Sequence, residues 1–128
     1  MSRNVVPVSG VATSPAYSHV VRMGDQLVVA GQVSQDAEGR VVGKGDITAQ
    51  TRQAFENLRA VLASAGASFD DVAKLTVYVT DPGVRAEVSE VRNELFAEPR
   101  PASTYLVIAG LAHPDFLVEI EAIAWLGS

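Results

Sequence analysis

The sequence predicts an α+β fold in which two amphipathic helices cover one face of a β-sheet. Two stretches, Ile47–Ala65 and the segment opening at Asp81-Pro82, space their apolar residues by three and four, the mark of a helix with one buried side. Around them run β-rich segments whose apolar positions alternate or fuse into short apolar runs. Two helices can cover only one face of such a sheet, so the other face needs a partner, and closed symmetric self-association is the usual solution. At 128 residues the chain has room for one domain with one core, taken as residues 1–128.

Residues 1–16 hold Pro7, Gly10 and Pro15 among small residues and read as an extended arm with a short edge strand at Asn4–Val8. Ser18–Ser34 reads as a hairpin around Met23-Gly24-Asp25-Gln26, where Gly24 can take the positive φ of a tight turn. Gly31 falls inside the second strand, which marks either a bulge or a close approach of the backbone to something else. The glycine-rich stretch 35–46 is a loop. In the first helix Ala54, Phe55, Leu58, Val61, Leu62 and Ala65 share a face; Asp46 or Thr48 can cap its start and Gly66 can end it. After a turn at Phe69-Asp70-Asp71, residues Ala73–Thr80 alternate as a strand.

Asp81-Pro82 opens the second helix, with Asp as cap and Pro in the first turn, where a missing N–H costs nothing. Val84, Val88, Val91 and Leu95 form its buried face, and Arg85, Glu87, Glu90, Arg92 and Glu94 are placed toward water. Pro99-Arg100-Pro101 ends it. Ala102–Ala109 reads as a strand, Gly110–Asp115 as a loop, and Phe116–Leu126 as the closing strand.

That last strand carries the functional signal. Phe116, Val118, Ile120, Ala122, Ala124 and Leu126 make one face without a polar side-chain atom. The other face mixes Leu117, Ile123 and Trp125 with Glu119 and Glu121. A face half apolar and half acidic is better explained by coverage from a second subunit, with a cleft in which a carboxylate can act, than by plain solvent.

Composition narrows the options. The chain has no cysteine, which removes disulfides, thiolate nucleophiles and cysteine-ligated zinc. His19 and His113 are far apart and in no ligand spacing, so neither a metal nor a cofactor is expected. A net charge of −5 lacks the basic footprint that phosphate backbones require, so nucleic acid is not an expected partner. No secretory-type apolar core opens the sequence and no run nears about 18 apolar residues, so no membrane partner is expected and a cytoplasmic location is. Ser103 and Thr104 are not credible nucleophiles, having no G-x-S-x-G elbow and no His placed beside them.

The segments AGQVS (30–34), NLRAVLASAG (57–66), LTVYVTD (75–81), RPAST (100–104) and EIEAIA (119–124) resemble, in order and over nearly the whole chain, the Rid family, also called YjgF or RidA-like proteins. The resemblance implies a chorismate-mutase-like fold, with a mixed β-sheet and two helices on one face. It also implies a homotrimer packed around a central barrel, with small-molecule clefts between subunits. The best-characterised branch hydrolyses 2-imino acids, or their enamine tautomers, to 2-oxo acids and ammonia. By that resemblance Glu119 matches the water-handling acid, Tyr17 the tyrosine of the N-terminal arm, and Gly31 the strand glycine whose backbone neighbours the ligand.

The carboxylate-binding Arg of that branch has no match. Pro101-Ala102-Ser103-Thr104 places Ser103 in its position, and a hydroxyl cannot replace the bidentate guanidinium pair. The loss should cost a 2-imino acid on the order of 2–4 kcal/mol of binding. Ser89 stands where the family has Asn, and Ala30 where it has Ser before the glycine. Arg100, three residues from Ser103, either substitutes for the missing cation or lies on a surface loop, while Ser103 and Thr104 suit a neutral or less charged ligand. Two readings stay open: acid/base hydrolysis, hydration or tautomerisation of an imine, enamine or enol-like metabolite with Glu119 as acid/base, or a non-catalytic small-molecule-binding or interaction trimer. A ribonuclease or translation-inhibitor role ranks third on the charge.

Overall fold

A computed structural model describes residues 2–127; Met1 of the expected arm and Ser128 lie outside the described residues. Six strands, β1 (Asn4–Val5), β2 (Val20–Met23), β3 (Gln26–Val33), β4 (Val72–Val79), β5 (Ala102–Val107) and β6 (Val118–Trp125), form one sheet in the order β1-β2-β3-β6-β4-β5. Every neighbouring pair is antiparallel except β4 and β5, which run parallel and are joined through α2 (Arg85–Leu95). The sheet is therefore mixed, with the last strand inserted between β3 and β4. β6 is thus flanked on both edges and packed on one face.

The helix-facing side follows the predicted alternation. Val118, Ile120, Ala122 and Ala124 of β6 are buried with Leu75, Val77 and Val79 of β4 and with Ala54, Phe55, Leu58, Val61 and Leu62 of α1 (Ile47–Ser64). Phe55, Phe69 and Phe96 pack together beneath the two helices, with ring centroids 4.7–6.3 Å apart. Of the two possible caps of α1, Asp46 is the one used; its carboxylate accepts from the Ala49 N–H at 3.0 Å. Asp81 likewise accepts from the Gly83 N–H, but Pro82–Val84 form a 3₁₀ turn and the α-helix proper starts only at Arg85. Arg52 of α1 and Glu94 of α2 join the helices by a two-bond ion pair at 2.9 and 3.2 Å in solvent.

Two features align the strands with the future site. Gly24, at φ +61°, turns β2 into β3 as the pattern predicts. The entry to β6 is held by Gln50 of α1, a fully buried amide whose Oε1 accepts from the Leu117 N–H at 2.9 Å and whose Nε2 donates to the Asp115 carbonyl at 2.8 Å. The clamp takes the Leu117 N–H, and the strand runs from Val118 rather than from Phe116. Among the described residues no helix is long and apolar enough to cross a membrane.

Candidate functional site

The site begins with a register change. Val29 pairs with Ala122 and Gln32 with Ile120, so Ala30 and Gly31 together stand opposite Glu121, a β-bulge in β3. An extra residue inverts the side-chain alternation beyond it. Leu27 and Val29 point to the core before the bulge; Gln32 and Ser34 do so after it, and both are buried. The bulge and the close approach anticipated for Gly31 are both present. A β-carbon on Gly31 would lie 2.6 Å from Cδ of Glu119, so the carboxylate lies across the glycine in space that any side chain would fill.

Glu119 and Glu121 share the open face of β6 but not the same surroundings. Glu121 accepts a hydrogen bond from the Tyr78 hydroxyl at 3.0 Å, an interaction that also raises the Tyr78 pKa above its ordinary value. Glu119 is half-buried, and no protein group among the described residues donates to its carboxylate. Removal from water, reinforced by the charge of Glu121, raises the Glu119 pKa above the ordinary carboxylate value. A carboxylate with elevated proton affinity and free lone pairs can accept a proton from, or return one to, a bound molecule.

That carboxylate faces a cavity of about 400 Å³ lined by Tyr17, Ala30, Gly31, Val33, Gln35, Ala112, Phe116 and Glu119. Four sequence-predicted residues, Tyr17, Ala30, Gly31 and Glu119, thus meet in one place. Phe116, expected to pack, is both buried and part of the wall. Behind the cavity a buried polar chain ties the arm to the bulge: the Gln32 amide contacts Nδ1 of His19 at 3.0 Å and donates to the Ala30 carbonyl at 3.0 Å, and His19 Nε2 contacts the Ala12 carbonyl at 2.5 Å. Because the Gln32 amide nitrogen can only donate, Nδ1 accepts from it and Nε2 donates to the Ala12 carbonyl. The Tyr17 ring stands edge-on to His19 at 5.5 Å, so the same chain of contacts sets the phenol at the cavity mouth.

The other predicted residues lie elsewhere in the protomer. Ser103 is in register with Leu75 and therefore on the helix side of β5, whereas Thr104 is in register with Thr76 on the open side, where the Lys74 ammonium donates to its hydroxyl. Ser103 lines a separate depression of about 140 Å³ with Arg92, Phe96, Arg100 and Pro101. Arg92, read from the helix pattern as pointing to water, is half-buried and extends Nη1 to 3.5 Å from the Ser103 hydroxyl. Ser89 lies three residues before Arg92 on α2 and borders neither space. Among the described residues no cluster of His, Asp or Glu could hold a metal ion.

The profile of the Endoribonuclease L-PSP family matches residues 8–126. A RutC family protein from Pyrococcus abyssi is 42% identical over 109 residues, 85% of each chain. The chain belongs to the Rid (YjgF/RidA-like) family. The RutC family protein YjgH of Escherichia coli is 43% identical over 110 residues, covering 84% of this chain and 81% of that one. RidA from a Psychrobacter species superposes with a TM-score of 0.89 at 31% identity, covering 96% of this chain and 99% of its own.

For a Rid protein the departures noted in the sequence now have positions. The bulge with Gly31 and the acid beneath it are present, and the segment bearing Ser103 lies on the sheet's outer strand, on the opposite face from Glu119. Pattern reasoning missed Gln35, Ala112, Gln32 and Arg92. Gln35 and Ala112 come from loops without periodicity, and the inward turn of Gln32 depends on the bulge.

Proposed function

We propose that this Rid protein assembles as a homotrimer whose inter-subunit clefts bind a small metabolite, and that Glu119 acts there as acid/base in hydrolysis, hydration or tautomerisation of an imine, enamine or enol-like substrate. The observation that carries the reading is the Glu119 carboxylate itself: half-buried, raised in pKa, without a protein donor, and laid over Gly31 in a cavity large enough for a metabolite. Its neighbour Glu121 has a phenol partner and serves as the contrasting structural acid. Tyr17 supplies a phenol donor at the mouth, and Ala30 and Gly31 bring backbone close to the bound molecule. Proton transfer of this kind contributes typically 10²–10⁴-fold.

Assembly is supported by the uncovered face. Val28, Ile123 and Trp125 lie exposed on the side of the sheet away from the helices, an apolar surface of the sort that marks subunit contact. The decisive experiment releases 2-aminoacrylate or a longer imino acid in situ and follows ammonia. Wild type should accelerate its appearance and Glu119→Ala should abolish the acceleration, with a light-scattering mass three times that of the chain. Wild type no faster than buffer would leave the second reading, a binding trimer without catalysis, which the hydroxyl of Ser103 in place of a guanidinium favours. A monomeric mass would remove both.

A further inference from the structure

Among the described residues lining the Glu119 cavity, Gln35 alone carries a side-chain amide. Its backbone is held from two sides. The buried Asn57 of α1 donates through Nδ2 to the carbonyls of Val33 and Gln35, at 2.9 Å each, and is itself steadied by Gln53, which donates to Asn57 Oδ1 at 2.9 Å. The Gln35 N–H donates to the Val33 carbonyl at 2.9 Å, and Gln35 forms an isolated β-bridge with Val41. No hydrogen bond among the described residues uses its side-chain Oε1 or Nε2, so the chain fixes where this half-buried residue sits and leaves its donor and its acceptor free at the cavity wall. The rest of the wall narrows what can meet that amide. Val33, Ala112 and Phe116 are apolar, and Glu119 is an acid with no Lys or Arg among the lining residues to offset it. A second anion seated here would meet repulsion.

We infer that Gln35 is a specificity-determining residue that reads a carboxamide on the ligand. Two planar amides exchange two hydrogen bonds, each giving an N–H and accepting one on its oxygen. A ketone or ester meets only Nε2 and leaves Oε1 without a partner. A carboxylate leaves Oε1 unpaired as well and adds a charge beside Glu119. An ammonium pairs Oε1 and abandons Nε2, and a hydroxyl has one atom to offer where two are needed. The unpaired group is what discriminates, because a site built to hydrogen-bond rejects the analogue that cannot answer it. The inference rests on the reading of this cavity as the substrate site. It narrows the imine, enamine or enol-like substrate to one that carries an amide beyond its reacting carbon, a molecule for which about 400 Å³ is ample.

Three probes of nearly the same shape test it: propionamide, butan-2-one and propionate, titrated into the full chain and followed by the amide nuclear magnetic resonance signals of Gly31 and Gln35. Wild type should bind propionamide about tenfold more tightly than butan-2-one, the order expected when one hydrogen-bonding group loses its partner, and propionate more weakly still. Gln35→Leu should bring propionamide down to the affinity of butan-2-one and leave butan-2-one unchanged. Gln35→Met, which keeps the length of the side chain, should do the same, and unchanged far-UV circular dichroism would establish that both variants fold. Equal binding of amide and ketone, propionate as the tightest probe, no binding of any of the three, or an amide preference that survives both substitutions would overturn the assignment. An amide preference that depends on Gln35 in a protein that does not speed ammonia release would sink the Glu119 chemistry and keep this specificity; ammonia release without that preference would do the reverse.

Discussion

Along β6, residues one position apart belong to different environments. Val118, Ile120, Ala122 and Ala124 are sealed beneath the helices, while Ile123 and Trp125 on the opposite face remain 36% and 54% exposed. The helix side is a finished core, closed by the aromatic cluster and the buried Gln50 clamp. The open side of the same strand carries exposed Ile123 and Trp125 together with two acids in unlike settings. The faces differ in polarity, and they differ also in how their apolar residues are covered. One is closed by the chain itself, and the other is available for association and ligand.

The strongest way to break that distinction is to substitute one residue on each side. Phe55→Ala empties the centre of the aromatic cluster and should cost about 3–5 kcal/mol of unfolding free energy, read as a large drop in midpoint by chemical denaturation. Ile123→Asp should leave the secondary structure intact by circular dichroism but shift the mass toward a single chain. It should also remove any dependence of the melting temperature on protein concentration. If the two variants lost the same stability with no change of mass, the open face would be a poor core and not an interface.

Much of the first face could be read in advance; on the second, the mixed side of the last strand could be read but not the register that builds the cavity. The spacing of Ala54, Phe55, Leu58, Val61 and Leu62 is local, and a helix's buried side follows from local spacing alone. Gly31 announced itself as an anomaly within a strand. That its missing side chain makes room for Glu119 depends on pairing between β3 and β6, strands from opposite ends of the chain, and no local pattern encodes that register. The same holds for Gln32 and Ser34, whose inward direction is set by the bulge. Arg92 was hidden for a different reason: the helix pattern sends it outward, and only the position of β5 beside α2 turns outward into a shared pocket.

Gly31→Ala sharpens the comparison at the boundary between site and scaffold. The added carbon would overlap Glu119, and relieving the overlap by moving the acid or the strand should cost about 1–3 kcal/mol. It should also remove ammonia release, because the carboxylate leaves its place in the cavity. In a Glu119→Ala background the same glycine substitution should be nearly neutral for stability, so a double-mutant cycle reads the steric coupling directly. Additive effects would mean that the glycine serves the bulge alone.

The smallest effect is electrostatic and distinguishes Glu119 from Glu121. Burial raises the proton affinity of Glu119 in the folded state above its ordinary value of 4.5. A folded-state pKa above the unfolded one means that the native chain binds the proton more tightly. The resulting stabilisation is complete below the ordinary carboxylate pKa and is lost as pH rises through the elevated one. Glu119→Gln, fixed in the neutral form, should therefore melt higher than wild type at neutral pH, and the gap should narrow as the solution is acidified toward pH 4.5. Glu121→Gln should show no such gain, because it disturbs the acceptor of the Tyr78 hydroxyl. Parallel melting curves of wild type and Glu119→Gln across pH would show the acid at position 119 to be solvated like any surface carboxylate and would remove the basis for its proton-transfer role.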